Sequence, residues 1–282
     1  MPHALILGCG DLGSRTAQLL IADGYSATGV RRRPFVLPGG VALSLDLADP
    51  QAIEQLPRRA DVVIVALTPS QRTPEAYRAT YLDLPRLVSR TVTAPHWVFV
   101  SSTAVYGEHQ TTLPDRWIDE TVLPAPDRFN GEVLLAAEQQ LRAQVPRLTV
   151  VRCSGLYGPG RTALIARAAR GDKGDSQWTN RIHIDDAARA VHWCVTAGCV
   201  PENVIATDLL PSVSADVHSW ISAQQSGECP ETVVLHSHGQ GRRLRPQALL
   251  DAGFEWRFPS FREGYRELLK ASNDSPQAPL AL

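Results

Sequence analysis

Gly8-Cys9-Gly10-Asp11-Leu12-Gly13 falls between a short apolar run and a helical pattern. At that position Gly8 permits a tight turn and Gly10 lets backbone N–H groups approach a pyrophosphate. Gly13 allows close helix–strand packing, and the helix N-terminus faces the anion. Arg31-Arg32-Arg33 follow the next apolar run, where a carboxylate would serve a ribose 2′-hydroxyl. A carboxylate would repel a 2′-phosphate, whereas guanidinium groups offer it bidentate, charge-assisted hydrogen bonds. The expected ligand is therefore NADP, with NAD as second choice, held by Gly8, Gly10, Asp11, Leu12, Gly13, Arg31 and Arg32. Asp46, Leu47 and Thr68 follow the third and fourth apolar runs, where a sheet's carboxyl edge would meet the adenine and the ribose phosphates. Asp46 either accepts from an adenine amino group or caps the next turn.

These residues need strands and helices to place them, and the pattern supplies both. Ala4–Gly8, Tyr25–Val30, Val41–Leu45, Val62–Leu67, Trp97–Ser101 and Leu148–Arg152 are short, continuous apolar runs, as expected of parallel strands covered on both faces. Asp11–Ala22, Pro50–Gln55, Pro74–Val92 and Gly131–Gln144 alternate with them at helical spacing. The expected fold is α/β, a Rossmann-type doubly wound parallel sheet with a smaller irregular C-terminal substrate lobe. Residues 1–152 form the dinucleotide-binding part, a strand and helix near 183–208 return to it, and 153–282 are mainly the substrate lobe. Within the latter, Asp185–Thr196 and Val213–Gln224 read as helices with Asp185 as an N-cap, Asn203–Ala206 as a strand and Ser272–Leu282 as a frayed tail.

Composition narrows the partners. With 28 Lys and Arg against 29 Asp and Glu, the net charge of −1 gives no electrostatic case for nucleic acid or an anionic membrane surface. No apolar run approaches the ~20 residues of a membrane span, so a small-molecule ligand and a cytoplasmic location are expected. Five cysteines without a Cys-x-x-Cys pair suit reduced thiols. Cys9 lies at a helix N-terminus, where a thiol pKa falls, so its oxidation is expected to interfere with the cofactor. His236-Ser237-His238 lacks a placed third ligand, and no metal is expected. The six Trp residues read as core or interface rather than as a substrate platform.

Val98-Phe99-Val100-Ser101-Ser102-Thr103-Ala104-Val105-Tyr106-Gly107 resembles the extended short-chain dehydrogenase/reductase family, the NAD-dependent epimerase/dehydratase group. Val151-Arg152-Cys153-Ser154-Gly155-Leu156-Tyr157-Gly158-Pro159-Gly160 and Arg181-Ile182-His183-Ile184-Asp185-Asp186 resemble two later segments of that family in its order. The resemblance implies a catalytic Ser or Thr in the strand-end run: Ser102 by its distance from Tyr106-Gly107, with Thr103 second and Ser101 beside the cofactor. It also implies that Gly241–Phe254 closes over a nucleotide or another anion, and that a homodimer forms through Pro74–Val92 and Gly131–Gln144.

One part of the family pattern is missing. The family's acid/base is a Tyr-x-x-x-Lys pair one helical turn apart, and the corresponding positions here are Asn130 and Leu134. The only lysines, Lys173 and Lys270, are preceded four residues earlier by Ala169 and Arg266, so the pair occurs nowhere in the chain. Tyr106, Tyr157, Asp127, Glu132 and His183 are the substitute proton carriers near the expected site. Two functions follow: an NADP(H)-dependent oxidoreductase of the epimerase/dehydratase type acting on a small polar or nucleotide-linked substrate, or a non-catalytic protein that senses NADP(H).

Overall fold

The computed structural model describes residues 1–108, 117–227 and 235–274. The first half runs β1 (His3–Leu7), α1 (Asp11–Ala22), β2 (Ser26–Arg31), β3 (Val41–Ser44), α2 (Pro50–Glu54), β4 (Val62–Val65), α3 (Pro74–Arg78), α4 (Leu84–Thr91) and β5 (His96–Ser102). It continues with β6 (Trp117–Ile118), α5 (Phe129–Arg142) and β7 (Leu148–Cys153). The remainder is β8 (Gly155–Tyr157), α6 (Ala163–Ala169), β9 (Trp178–Thr179), β10 (Arg181–His183), α7 (Ile184–Thr196), β11 (Asn203–Ala206), β12 (Ser212–Val213), α8 (Ser214–Ser226), β13 (Arg243–Leu244), α9 (Gln247–Asp251) and α10 (Phe261–Asp274).

Seven strands form one parallel sheet in the order β11-β7-β5-β4-β1-β2-β3. The chain winds outward from β1 to β3, then restarts at β4 on the other side of β1. This reversal opens a crevice beyond the carboxyl ends of β1 and β4, where ligands bind in doubly wound sheets. Alternate residues of each strand supply two cores. Leu5, Leu7, Val63, Val65, Trp97 and Phe99 meet Val88 of α4 and Leu134, Ala137 and Leu141 of α5. Ala4, Ile6, Val62, Ile64 and Val98 meet α1 and α7 through Leu12, Ala17, Leu20, Ala187 and Val191. A third cluster, around Tyr157, Trp220, Phe261 and Tyr265, belongs to the C-terminal region. Among the described residues no helix is long and apolar enough to cross a membrane.

The segment expected as one helix over Pro74–Val92 is interrupted by a wide, π-type turn at Ala79–Asp83. Pro85 has no N–H to give to the Tyr81 carbonyl, and its ring would strike that carbonyl, so the coil widens. The Leu82 carbonyl in the widened turn accepts from Gln140 Nε2 of α5 at 2.8 Å. Two further expectations are corrected. His183, not Asp185, caps α7, its Nδ1 accepting from the Asp185 amide. The helix α10 continues through residues 272–274, where a frayed tail was expected, and 275–282 lie outside the described residues, as does Cys229.

Candidate functional site

The glycine turn is fixed by close approach. Gly8 has φ +90°, and a Cβ there would stand 2.4 Å from the Ala66 carbonyl oxygen at the end of β4. A Cβ on Gly13 would stand 2.5 Å from the Gly8 oxygen, whereas one on Gly10 would meet nothing within 4 Å. Gly10 is therefore the open face of the turn. Gly10 caps α1 without any side-chain hydrogen bond, leaving the first-turn amides without a side-chain acceptor at the positive end of the helix. The amides of Gly8 and Cys9 both donate to the Val30 oxygen, which ties the turn to β2. Cys9 is fully buried, and burial raises its thiol pKa despite the opposing Ser14 hydrogen bond and the Arg31 charge. The expected low-pKa, oxidisable thiol is thus corrected: the side chain lies beneath the turn, against Gly29.

Three neighbouring cavities run along the sheet's carboxyl edge. The first, about 370 Å³, is lined by Gly8, Gly10, Arg31, Arg32, Asp46, Leu47 and Thr68, among others. Arg31 braces its own loop, donating from Nε to the Arg33 oxygen (3.0 Å) and from Nη2 to the Pro34 oxygen (2.8 Å), with its guanidinium 4.4 Å from the Phe35 ring centre. Arg32 has no acidic partner among the described residues, which makes it the freer of the two cations. One oxygen of Asp46 accepts from the Ala48 amide at 3.1 Å, so the carboxylate caps a turn while lining the cavity.

The second cavity, about 290 Å³, shares Gly8, Gly10 and Thr68 with the first and adds Asp11, Leu12, Gly13, Tyr77, Tyr81, Ser101, Ser102, Asn130, Leu134 and Arg161. Asn130 and Leu134 stand one turn apart on α5, as the family pattern would place its pair. Asn130 Oδ1 is buried without a hydrogen-bond partner, and Leu134 is buried. A Cβ on Gly131 would stand 2.1 Å from the Ala104 oxygen, so α5 presses directly on the Thr103–Val105 turn that follows Ser102. Ser102 Oγ accepts from the Ala104 amide at 3.2 Å and keeps its own proton free to donate.

Ser102 is also shared with the third cavity, about 550 Å³, which Thr103, Glu108, Arg128, Trp178, Asn180 and Arg242 help to line. Asn180 clamps its edge, donating to the Arg242 oxygen (3.0 Å) and accepting from the Leu244 amide (2.8 Å). The Arg242 guanidinium has a buried Nε without a partner, and burial lowers its pKa. Trp178 faces this cavity, which departs from the expected core or interface role, and Trp117 is 40% exposed, with Arg243 stacked between the two rings at 4.6 and 5.1 Å.

Several expected site residues belong to the scaffold instead. Ser101 points away from Ser102, its hydroxyl donating to Glu138 Oε1 at 2.6 Å. Glu138 also accepts from Arg152 Nη2 at 2.7 Å, and Arg152 Nη1 donates to the Tyr106 hydroxyl at 2.8 Å. All four side chains are buried. Ser101 lines the second cavity, but its hydroxyl proton is committed to Glu138. Tyr106 is tied to Arg152 in the core, and burial raises its phenol pKa in spite of Arg152. Tyr157 donates to the Ser260 oxygen at 3.2 Å and stacks on Tyr265, and burial pushes its phenol above the ordinary range. His183 is buried and kept neutral by desolvation, Asp127 accepts from the Glu108 amide, and Glu132 is exposed on α5. His236 pairs with Asp216 through Nδ1.

The cleft residues that the sequence reading missed are Tyr77, Tyr81 and Arg161. The four-residue spacing of the tyrosines on one helix was the available signal; Arg161 had none.

The sequence pattern of the NAD dependent epimerase/dehydratase family matches residues 4–205. The chain belongs to this family. Curated "Protein YeeZ" of Escherichia coli (strain K12) is 26% identical over 205 residues, covering 68% of this chain and 72% of that protein. A Methylobacillus flagellatus protein whose structure is assigned to the NAD-dependent epimerase/dehydratases is 29% identical, with TM-score 0.80 and coverage of 97% and 99%. Human epimerase family protein SDR39U1, solved with NADPH, shares the fold at 19% identity and TM-score 0.70, with coverage of 95% and 99%.

Proposed function

We propose that the chain is an NADP(H)-dependent oxidoreductase of the epimerase/dehydratase type, acting on a small polar or nucleotide-linked substrate. The observation that carries this reading is the continuous run of three cavities over the topological switch point, with Ser102 where the second meets the third. Gly8, Gly10, Leu12 and Gly13 would cradle a pyrophosphate. Arg32, joined by Arg31 once it leaves its loop carbonyls, would meet a 2′-phosphate, and Leu47 and Thr68 would border the adenosine. The open face of Gly10 and the uncapped amides of α1 fit such a group. When bound, the nicotinamide supplies or accepts a hydride. Ser102 and Asn130 would hold a substrate oxygen, the first as donor and the second through its amide, while Leu134 excludes water. Neither titrates in the working range, so a proton would come from Tyr77 on the same wall. Burial raises the Tyr81 phenol far above neutrality, which makes it the poorer donor of the two.

In this reading residues 1–152 with the returning β11 and α7 bind the cofactor, the rest of 153–282 mainly binds substrate, and Arg242 would meet its anionic part. The absent Tyr and Lys favour a second reading, an NADP(H) sensor without turnover. Calorimetric titration with NADPH and NADH, on the protein and on Arg32→Ala, tests the cofactor. Selective NADPH binding that Arg32→Ala removes is the expected result, and no binding of either nucleotide overturns both readings. Ser102→Ala then separates them. An enzyme loses turnover of carbonyl or sugar-nucleotide substrates with NADPH affinity nearly unchanged, whereas a sensor shows no turnover to lose.

A further inference from the structure

A chain of alternating charges crosses from the glycine turn to the C-terminal region. Arg15 Nε donates to Asp11 Oδ1 at 2.7 Å, and Arg161 Nη1 donates to Asp11 Oδ2. Arg15 Nη1 also reaches Asp185 Oδ1, whose partner oxygen accepts from Arg257 Nη1 at 3.3 Å, and Arg257 Nη2 lies 3.7 Å from Glu267. Asp11 is the first residue of α1, and Arg161 lies 150 residues away, between β8 and α6, just after Gly158-Pro159-Gly160. Both line the second cavity together with Gly10 and Gly13.

Asp11 puts a carboxylate beside the amides that would receive a pyrophosphate. Burial would raise its pKa, but hydrogen bonds from Arg161 and Arg15 outweigh burial and lower it, so it is charged at neutral pH. About a third of each side chain in the Asp11–Arg161 pair is exposed, and ion pairs this open to water are weak. A diphosphate at the same helix end offers more charge and more acceptor oxygens than one carboxylate. Arg15 holds the other Asp11 oxygen and Asp185 at once, so Asp11 stays anchored if Arg161 leaves it.

We propose that Arg161 is a pyrophosphate-binding residue of the cofactor cleft, held over the glycine turn by Asp11 and transferred to the diphosphate when a dinucleotide enters. The proposal rests on the NADP(H) reading. It adds a C-terminal contact to the cofactor site and makes Asp11 a competitor of the ligand rather than one of its side-chain contacts.

The test is calorimetric titration of the full chain with NADPH and with adenosine 2′-monophosphate, which lacks the diphosphate. Arg161→Ala is expected to weaken NADPH about tenfold while changing adenosine 2′-monophosphate by less than about twofold, since only the diphosphate contact is lost. Arg161→Lys, which keeps the charge, is expected to recover part of that loss. Asp11→Asn is expected to tighten NADPH, because it frees Arg161 and removes a like charge. Unchanged NADPH affinity in Arg161→Ala overturns the proposal. So does equal weakening of both ligands, which marks a displaced C-terminal region, or weaker NADPH binding by Asp11→Asn. If the unsubstituted protein binds adenosine 2′-monophosphate but not NADPH, the diphosphate site itself is refuted; if it binds neither, the cofactor reading falls first.

Discussion

The turn after β1 and the first turn of α5 are built alike and carry different side chains. Each holds a glycine where a Cβ would collide with backbone, Gly8 on Ala66 and Gly131 on Ala104, at 2.4 and 2.1 Å. The first turn leaves an open face at Gly10 and helix amides without a side-chain acceptor. The second carries Asn130 and Leu134 one turn apart on the cleft wall, neither of which titrates. A backbone contact calls for glycine at both places, and the side chains beside it offer different chemistry. The buried Ser101–Glu138–Arg152–Tyr106 network fastens α5 to β5 and β7 without using residue 130 or 134.

Substitutions can break or sharpen this contrast. The largest effect is expected from Glu138→Ala, which strands the buried Arg152 charge and should cost about 3–5 kcal/mol of stability in urea unfolding. If the cost is small, the network does not fasten α5. Gly8→Ala combines the positive φ with the collision at Ala66 and should cost about 1–3 kcal/mol by the same measurement. Gly10→Ala, on the open face, should change stability by less than about 0.5 kcal/mol yet weaken NADPH binding, as its methyl group enters the cleft. Tyr81→Phe and Tyr77→Phe, made separately, should leave folding intact. If the enzyme reading holds, the one that removes the proton donor should slow turnover about 100-fold. A last effect concerns pH. Burial, assisted by the Arg147 charge, lowers the His96 pKa from 6.5 to about 4. The unfolded chain therefore binds the proton first, and stability falls as pH drops from 6.5 toward 4. His96→Gln should flatten that part of the profile by up to about 3 kcal/mol.

The glycine turn was legible because strand, spacing and helix are all local in sequence. Both expected strand-end serines line the second cavity, but strand alternation turns the Ser101 hydroxyl onto Glu138 of α5, a partner 37 residues away that no local pattern shows. Tyr106 and Tyr157 sit in segments that resemble a catalytic region, and only their hydrogen-bond partners reveal them as core. The break at Pro85 was readable in principle, since a proline well inside a helical pattern removes a donor. Arg161 was not readable at all, because its meeting with Asp11 is made by the crossover of the whole fold.

Ser102 stands on the wall between the second and third cavities. A dinucleotide lodged in the second would itself complete the side of the third that Ser102 begins. The third cavity alone would then offer an incomplete surface, and catalysis would follow a compulsory order, with nucleotide first on and last off. Product-inhibition patterns competitive only between the two nucleotide forms would be the kinetic trace of that shared wall.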